Sequence, residues 1–259
     1  MLFQIQSYLK FLWYSKNEHA VHSPFVFNLI TKCIYDKKIK VEYAILKEYR
    51  KFLLQNKNSI DVTDFGAGSK VLKSNNRQIA KIASIAGISE KRAQLLFRIV
   101  HYFQPQHILE LGTSVGLATV ALSLGNEKSE ITTLEGCQNT MAIAKNQLQN
   151  SKCTNIDFVV TEFKTYLKDF DLKLKIFDLI YFDGNHQKQV TLEYFELLLP
   201  TTTNETIWIF DDIHWSLEME ESWKIIQKHP KVTVTIDTFQ WGLVFFRREQ
   251  PKEHFVIRV

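Results

Sequence analysis

Ile108-Leu109-Glu110-Leu111-Gly112-Thr113-Ser114-Val115-Gly116 reads as a β-strand that runs into a glycine-bearing turn and then into a helix, Leu117 to Leu124. Gly112 lets the chain turn sharply at the strand's carboxyl end, and Gly116 lets a ligand or a neighbouring backbone approach without a Cβ in the way. Ligands in open α/β sheets bind at that edge. The next strand-like run is followed by Glu135, 23 residues after Gly112, and a carboxylate there can accept hydrogen bonds from both hydroxyls of a ribose. Alone, Gly-x-x-x-Gly is as often a plain tight turn as a site. The strand before it, the helix after it and the acid closing the next strand join turn and carboxylate into one expected pocket.

Outward from this turn, short β-rich runs alternate with helical patterns of ten to fifteen residues, which implies a parallel sheet. Strands are expected at His107–Leu111, Glu130–Leu134, Ile156–Val160, Phe177–Phe182 and Thr206–Phe210, with helices near 116–124, 138–150, 163–170 and 187–199. Val232–Ile236 and Leu243–Arg247 are also strand-like, but the short link Asp237 to Gly242 suits a hairpin rather than a crossover. The expected fold is therefore α/β and Rossmann-like, a doubly wound seven-stranded sheet whose last strand is antiparallel. Before about Phe103 the apolar positions recur at helical spacing. Ser23-Pro24 has the form of a helix N-cap and first turn, and further helices are expected at Glu42–Leu54 and Lys91–Phe103. The predicted division is a helical extension or cap, 1–103, and a ligand-binding domain, 104–259.

Composition narrows the class. Hydrophobic residues at 45% and charged residues at 23% are those of an ordinary globular chain, which argues against disorder. The net charge of +4 is spread out, with no block of consecutive basic residues, so a nucleic-acid partner is not favoured. Cys33, Cys137 and Cys153 have neither metal-ligand spacing nor an even number, which points to a reducing, cytoplasmic setting. Met1–Tyr14 lacks a basic n-region and a cleavage site, and no apolar stretch approaches the ~20 residues of a membrane span. That opening is expected to form an amphipathic helix packed on the body, so no membrane partner is expected.

The spacing also argues against a dinucleotide oxidoreductase, whose phosphate cradle carries a middle glycine where this chain has Ser114. Taken together, Glu110-Leu-Gly112-Thr-Ser-Val-Gly116 and Glu135 resemble the cofactor signature of class I S-adenosylmethionine-dependent methyltransferases. The resemblance runs from about residue 105 to 247, and the nearest group is the small-molecule O-methyltransferases similar to catechol O-methyltransferase. It implies that Glu110, Gly112, Thr113, Ser114 and Gly116 hold the methionine part of S-adenosyl-L-methionine, that Glu135 and Gly136 hold the ribose, and that Thr161, Glu162 and Phe163 flank the adenine. Phe163 as a core residue and Glu162 as a helix-start carboxylate stay open beside that.

Two later strands deliver carboxylates: Asp183, in Asp183-Gly184-Asn185-His186, and Asp211-Asp212 before Ile213-His214. Clustered carboxylates usually coexist with a cation, and oxygen ligands suit Mg2+. In the family resembled, an aspartate after the fourth strand and an Asp-Asn pair after the fifth hold such an ion; Asp183 and Asp211 match, while Asp212 stands where the asparagine would. Metal binding by Asp183, Asp211 and Asp212 is thus weighed against loop hydrogen bonds and capping. His186 replaces the lysine base of that family and could accept a proton near neutral pH, with Asp183 beside it as a second catalytic candidate that also borders the cofactor. His22, His214, Trp215, Phe239 and Trp241 are weaker candidates, better explained by structure and core packing. Asp64-Phe65-Gly66-Ala67-Gly68-Ser69 superficially repeats the turn but lacks its strand and acid, and reads as a tight loop, the alternative being that it folds over cofactor or substrate.

The expected activity is methyl transfer to a small-molecule acceptor, at a hydroxyl oxygen, with or without divalent-metal assistance; homodimerisation is compatible with it. A nucleic-acid or protein methyltransferase on the same fold, and a non-catalytic cofactor-retaining module, are the competing readings. The Pro-Pro-Tyr-like element of amino-methylating enzymes is absent, Asp183-Gly184-Asn185-His186 standing in its place.

Overall fold

The computed structural model describes residues 2–66, 74–149, 151, 153–169 and 175–259. The chain forms two compact units, one of Met1–Thr31 with Lys164–Val259 and one of Lys32–Phe163.

The first unit opens with α1 (Leu2–Tyr14) and α2 (Pro24–Leu29). The Ser23 hydroxyl accepts from the Val26 N–H with Pro24 in the first turn, the arrangement the dipeptide predicts: a side-chain oxygen meets an orphan N–H and proline occupies a position that needs no donor. Five residues of π-helix, Ile30–Ile34, follow.

In the second unit come α3 (Glu42–Gln55), the hairpin of β1 (Ser59–Asp61) and β2 (Asn76–Gln78), α4 (Ile79–Ile85) and α5 (Glu90–Phe103). The Ser89 hydroxyl caps α5, which ends at Gln104 in the left-handed region just before Pro105. Arg98, on α5, donates to the carbonyls of Cys33 and Ile34 at 2.9 and 3.1 Å and to the Tyr43 hydroxyl at 3.2 Å, satisfying carbonyls at the end of the π-helix. Then β3 (His107–Leu111), α6 (Leu117–Gly125), β4 (Glu130–Glu135), α7 (Gln138–Gln149) and β5 (Ile156–Val160) wind in strict alternation, and the three strands pair in parallel with β4 in the middle. Every residue of α6 is buried, as expected of a helix that is apolar all round. It packs closely on α5: a Cβ on Gly125 would lie 2.5 Å from Cβ of Val100.

α8 (Phe163–Asp169) begins on the last residue of that unit, and the first unit resumes with β6 (Leu179–Phe182), α9 (Lys188–Leu198), β7 (Ile207–Asp211), α10 (Leu217–Lys228), β8 (Val234–Asp237), β9 (Trp241–Phe245) and β10 (Glu253–Val256). β6 and β7 are parallel, β9 runs antiparallel to both β7 and β8, and β10 pairs in parallel with β8. The fold is the expected Rossmann-like α/β class with a mixed, mostly parallel sheet, an antiparallel strand near the end and N-terminal helices. Beyond the seven expected strands, β10 adds one more at an edge. Among the described residues no helix is long and apolar enough to cross a membrane.

Gly242 pairs with Phe210 on one side and Asp237 on the other, and a Cβ there would fall 2.6–2.8 Å from the Trp223 ring of α10. Alanine in a strand would ordinarily help, but overpacking a rigid ring costs about 1–3 kcal/mol. Gly242→Ala should therefore lower the urea midpoint with an unchanged slope; a midpoint equal to or above that of the unmodified chain would show that the ring yields freely.

Candidate functional site

The turn after β3 takes three residues into the left-handed region: Gly112 (φ 109), Ser114 (φ 49) and Gly116 (φ 82). That conformation costs little at glycine and more at serine. The turn is pinned from below, since the N–H groups of Gly112 and Thr113 both donate to the Leu134 carbonyl, at 2.9 and 3.2 Å. What approaches Gly116 most closely is a side chain: the Tyr49 hydroxyl, which donates to the Val115 carbonyl at 2.8 Å, would lie 2.5 Å from a Cβ there. Gly116 thus serves the packing of Tyr49.

Under the turn sits Glu110, fully buried. Its Oε2 accepts from the Thr119 hydroxyl at 2.7 Å and the Thr133 hydroxyl at 2.6 Å, and Thr133 in turn meets Thr113 at 2.5 Å. Its Oε1 has no hydrogen-bond partner among the described residues. Burial pushes the carboxyl up to about 7, against the two threonine hydroxyls that favour its charged form and with the nearby Glu135 raising it further. A buried, half-satisfied carboxylate is costly unless a donor or cation completes it.

Glu135 closes β4 and grips the same turn: Oε2 accepts from the Ser114 N–H at 2.8 Å and Oε1 from the Cys137 N–H at 2.9 Å. Burial raises its proton affinity, opposed by the N–H groups of Cys137, Ser114 and Gly136, with Asp64 adding to the rise. A carboxylate offers about four acceptor positions, so capacity is left for ligand hydroxyls. Glu110, Gly112, Thr113, Ser114, Gly116, Glu135 and Gly136 are thereby brought together. Beyond them, the Thr161 N–H donates to the Glu135 carbonyl at 3.0 Å; Glu162 is exposed and Phe163 half-buried at the start of α8.

The loop that resembles the turn only superficially reaches this constellation. A Cβ on Gly136 would collide with the Phe65 ring at 2.6 Å, Asn139 donates to the Asp61 carbonyl at 2.7 Å, and Gly66 donates to Asp64. Phe65 is about half exposed. Residues 61–66 thus lie on the strand end that carries Glu135, while Ala67, Gly68 and Ser69 fall outside the described residues.

The other unit holds the second constellation. Asp211, at the end of β7, is 4% exposed; its Oδ2 accepts from the Tyr181 hydroxyl at 3.0 Å and its Oδ1 from the Asp212 N–H at 2.7 Å. The same Tyr181 hydroxyl lies 3.4 Å from Oδ2 of Asp183, and His186 Nε2 lies 3.8 Å from Oδ1 of Asp183. His186 also stands 6.0 Å, ring to ring, from Trp215. Asn185 (φ 66) and Asp212 (φ 55) are left-handed. The Asp183–His186 and Asp183–Asp211 pairings are thus assembled, with Tyr181 as the link. The sequence reading overlooked Tyr181, although two residues before Asp183 on a strand places both side chains on one face. Thr119 and Thr133 were overlooked for the same reason: their roles depend on which buried oxygen they meet.

His214 is held between Asp237 at 2.8 Å and Glu220 at 3.4 Å; burial works to lower its proton affinity, and the two carboxylates overcome that and raise it. It is a structural ion-paired histidine, whereas His22 is exposed.

Asp183, Asp211 and Asp212 are not assembled into a divalent-ion site among the described residues. Among the described residues no group of three or more His, Cys, Asp or Glu side chains is placed to hold a metal, and both oxygens of Asp211 already take protein donors. The glycosidic and amino-acid parts of S-adenosylmethionine do fit the first constellation, where Glu110 Oε1 lacks a donor and Glu135 has acceptor capacity to spare.

Residues 109–213 match the model of a methyltransferase domain family. No curated protein matches the sequence. Among solved structures, a methyltransferase from Podospora anserina with SAH bound is 14% identical over 88% of this chain and 97% of its own, with a TM-score of 0.60. An O-methyltransferase of tomaymycin synthesis from Streptomyces achromogenes, in complex with SAM, is 14% identical over 81% of this chain and 91% of its own, with a TM-score of 0.57. An O-methyltransferase from Bacillus cereus in complex with SAH is 16% identical over 82% and 92%, with a TM-score of 0.55. Residues 109–213 thus match a methyltransferase domain, and the chain shares the fold of these solved methyltransferases, O-methyltransferases among them.

Proposed function

We propose that this chain transfers a methyl group from S-adenosylmethionine to a hydroxyl oxygen of a small-molecule acceptor. One observation carries the cofactor half of this reading: Glu110 is wholly buried with Oε1 lacking a partner, on the same turn whose Ser114 N–H is held by Glu135. A cationic ammonium is the group that best completes such a carboxylate, and the amino-acid end of the cofactor carries one. Glu135 takes the ribose hydroxyls, and Thr161 to Phe163 border the base. The bound cofactor supplies an activated methyl on sulfur.

The chain's own residues hold and move the acceptor's proton. His186 takes the proton from the hydroxyl, and Asp183, 3.8 Å from its Nε2, orients the ring and stabilises the charge it gains. The Tyr181 hydroxyl keeps Asp211 and Asp183 together by placing a proton between two carboxylates. Alignment of two reactants contributes several kcal/mol of the barrier reduction in any such transfer.

Calorimetry with S-adenosylhomocysteine tests the reading directly. Binding should be measurable and should weaken at least tenfold, about 1.4 kcal/mol, in Glu135→Ala; a chain that binds neither S-adenosylhomocysteine nor S-adenosylmethionine overturns it. Glu110 adds a pH signature. Between pH about 4.5 and 7 the folded chain retains a proton that the unfolded chain has released, so ligand-free stability should fall as pH rises through that window, by about 3 kcal/mol in all. Glu110→Gln should flatten that slope and weaken S-adenosylhomocysteine binding. For the base, His186→Gln should lower kcat about a hundredfold or more with little change in KM; an unchanged kcat assigns proton transfer elsewhere.

A further inference from the structure

A cavity of about 370 Å³ lies within the first unit, outside the constellations described above except for Asp212 and Trp215. One wall is α1, which contributes Ile5 and Tyr8. The other walls are the segment after β7, with Asp212 and Trp215, and the β8–β9 turn, with Phe239. That size is within the usual range for small-molecule pockets.

The walls are built. Helix α1 is held by the Ser7 hydroxyl donating to Glu220 at 3.1 Å and by Tyr8 and Phe11 packing on Phe239 at 4.9 and 5.5 Å between ring centroids. At its far end Arg258 donates to the Leu12 carbonyl and the Ser15 hydroxyl. Two wall residues, Asp212 (φ 55) and Phe239 (φ 73), are held in the left-handed region, which is expensive for a bulky side chain and concentrates where a site demands a particular orientation.

The chemistry of the lining is specific. Tyr8, Trp215 and Phe239 supply three aromatic rings, and Asp212 supplies a carboxylate. The one basic group of the lining, His214, is already engaged by Asp237 and Glu220, and Glu220 is shared with Lys224 outside the lining. Among the described lining residues there is neither lysine nor arginine. Aromatic rings with a carboxylate in the lining are the combination that attracts an organic cation, through ring quadrupoles and charge, and disfavours a carboxylate or phosphate.

We propose that this cavity binds an organic ammonium ion, with Asp212 facing its charge and Tyr8, Trp215 and Phe239 enclosing its apolar body. The proposal rests on the methyltransferase reading only in making the occupant the acceptor: Trp215 is the ring beside His186, so the acceptor is an amine-bearing compound anchored by its ammonium end. In this view Asp212, which stands where the related enzymes have asparagine, is a specificity residue for charge.

Three nearly isosteric probes test it with the full chain: 2-phenylethylammonium, 2-phenylethanol and 3-phenylpropanoate, titrated calorimetrically near pH 7, where an amine of this kind is protonated. The ammonium should bind about tenfold or more tightly than the alcohol, and the carboxylate most weakly. Asp212→Asn should bring ammonium and alcohol within about threefold of each other, and Tyr8→Leu, at a half-exposed position on α1, should weaken the ammonium more than the alcohol. Equal or tighter binding of the carboxylate, or an ammonium preference that survives both substitutions, overturns the site. S-adenosylhomocysteine titrated into the same preparation reads the cofactor assignment separately. A chain that binds it but none of the three probes loses the ammonium site alone. A chain that selects the ammonium but binds no S-adenosylhomocysteine keeps the site and loses the methyltransferase reading.

Discussion

The burial of Glu110 constrains the rest of its unit. A carboxylate taken wholly out of water has to be met by donors, and three separate elements are arranged to meet it: Thr133 comes from the neighbouring strand and Thr119 from the first turns of α6, while Thr113 backs Thr133 from the turn itself. These contacts close only if the chain makes its left-handed excursions at Gly112, Ser114 and Gly116. Gly116 in turn can hold that conformation beside Tyr49 only without a Cβ. Among the described residues one oxygen is still left without a donor, and the proposed seat for the cofactor's ammonium rests on that.

Carboxylates in the other unit are stabilised differently. Asp211 is almost as buried as Glu110, yet both of its oxygens are met, by the Tyr181 hydroxyl and the Asp212 N–H. The Tyr181 hydroxyl donates to Asp211 at 3.0 Å and lies 3.4 Å from Asp183, and a hydrogen bond in a low-dielectric setting offsets part of the repulsion between the two carboxylates. The left-handed backbone at Asp212 then turns that residue's side chain toward a separate, aromatic-lined cavity. Two neighbouring aspartates therefore do different work, one structural at the strand end and one at a cavity wall.

Much of this was legible in the chain because local signals and tertiary needs agree. The strand His107–Leu111 and the α2 cap at Ser23-Pro24 were expected at those positions, and the helices beginning near Glu42 and Lys91 lie within one residue of expectation. Where signals were short or used for something else, the reading fell behind. Helix α10 went unmarked although Ser216 caps it through the Met219 N–H, Glu218 and Glu220 sit in its first turn, and Met219, Trp223 and Ile226 form its buried face. β10 has only four residues and no alternation strong enough to announce it. Residues 61–66 looked like an isolated turn because their partners, Gly136 and Asn139, are more than seventy positions away.

The sequence by itself determined the alternation of strands and helices from β3 to β7, the turn between β3 and α6 and the acids at or just after the ends of β4, β6 and β7. Those follow from periodicity of apolar residues and from the conformational needs of glycine, which act over a few residues. Only the tertiary structure decided which oxygen each hydroxyl meets, that Tyr49 and not a ligand occupies the space beside Gly116, that Tyr181 links two aspartates, and that α1 walls an aromatic cavity. Each of these depends on side chains far apart in the chain coming within a hydrogen bond or a ring contact of one another. That is settled by packing of whole elements, to which local sequence patterns are blind.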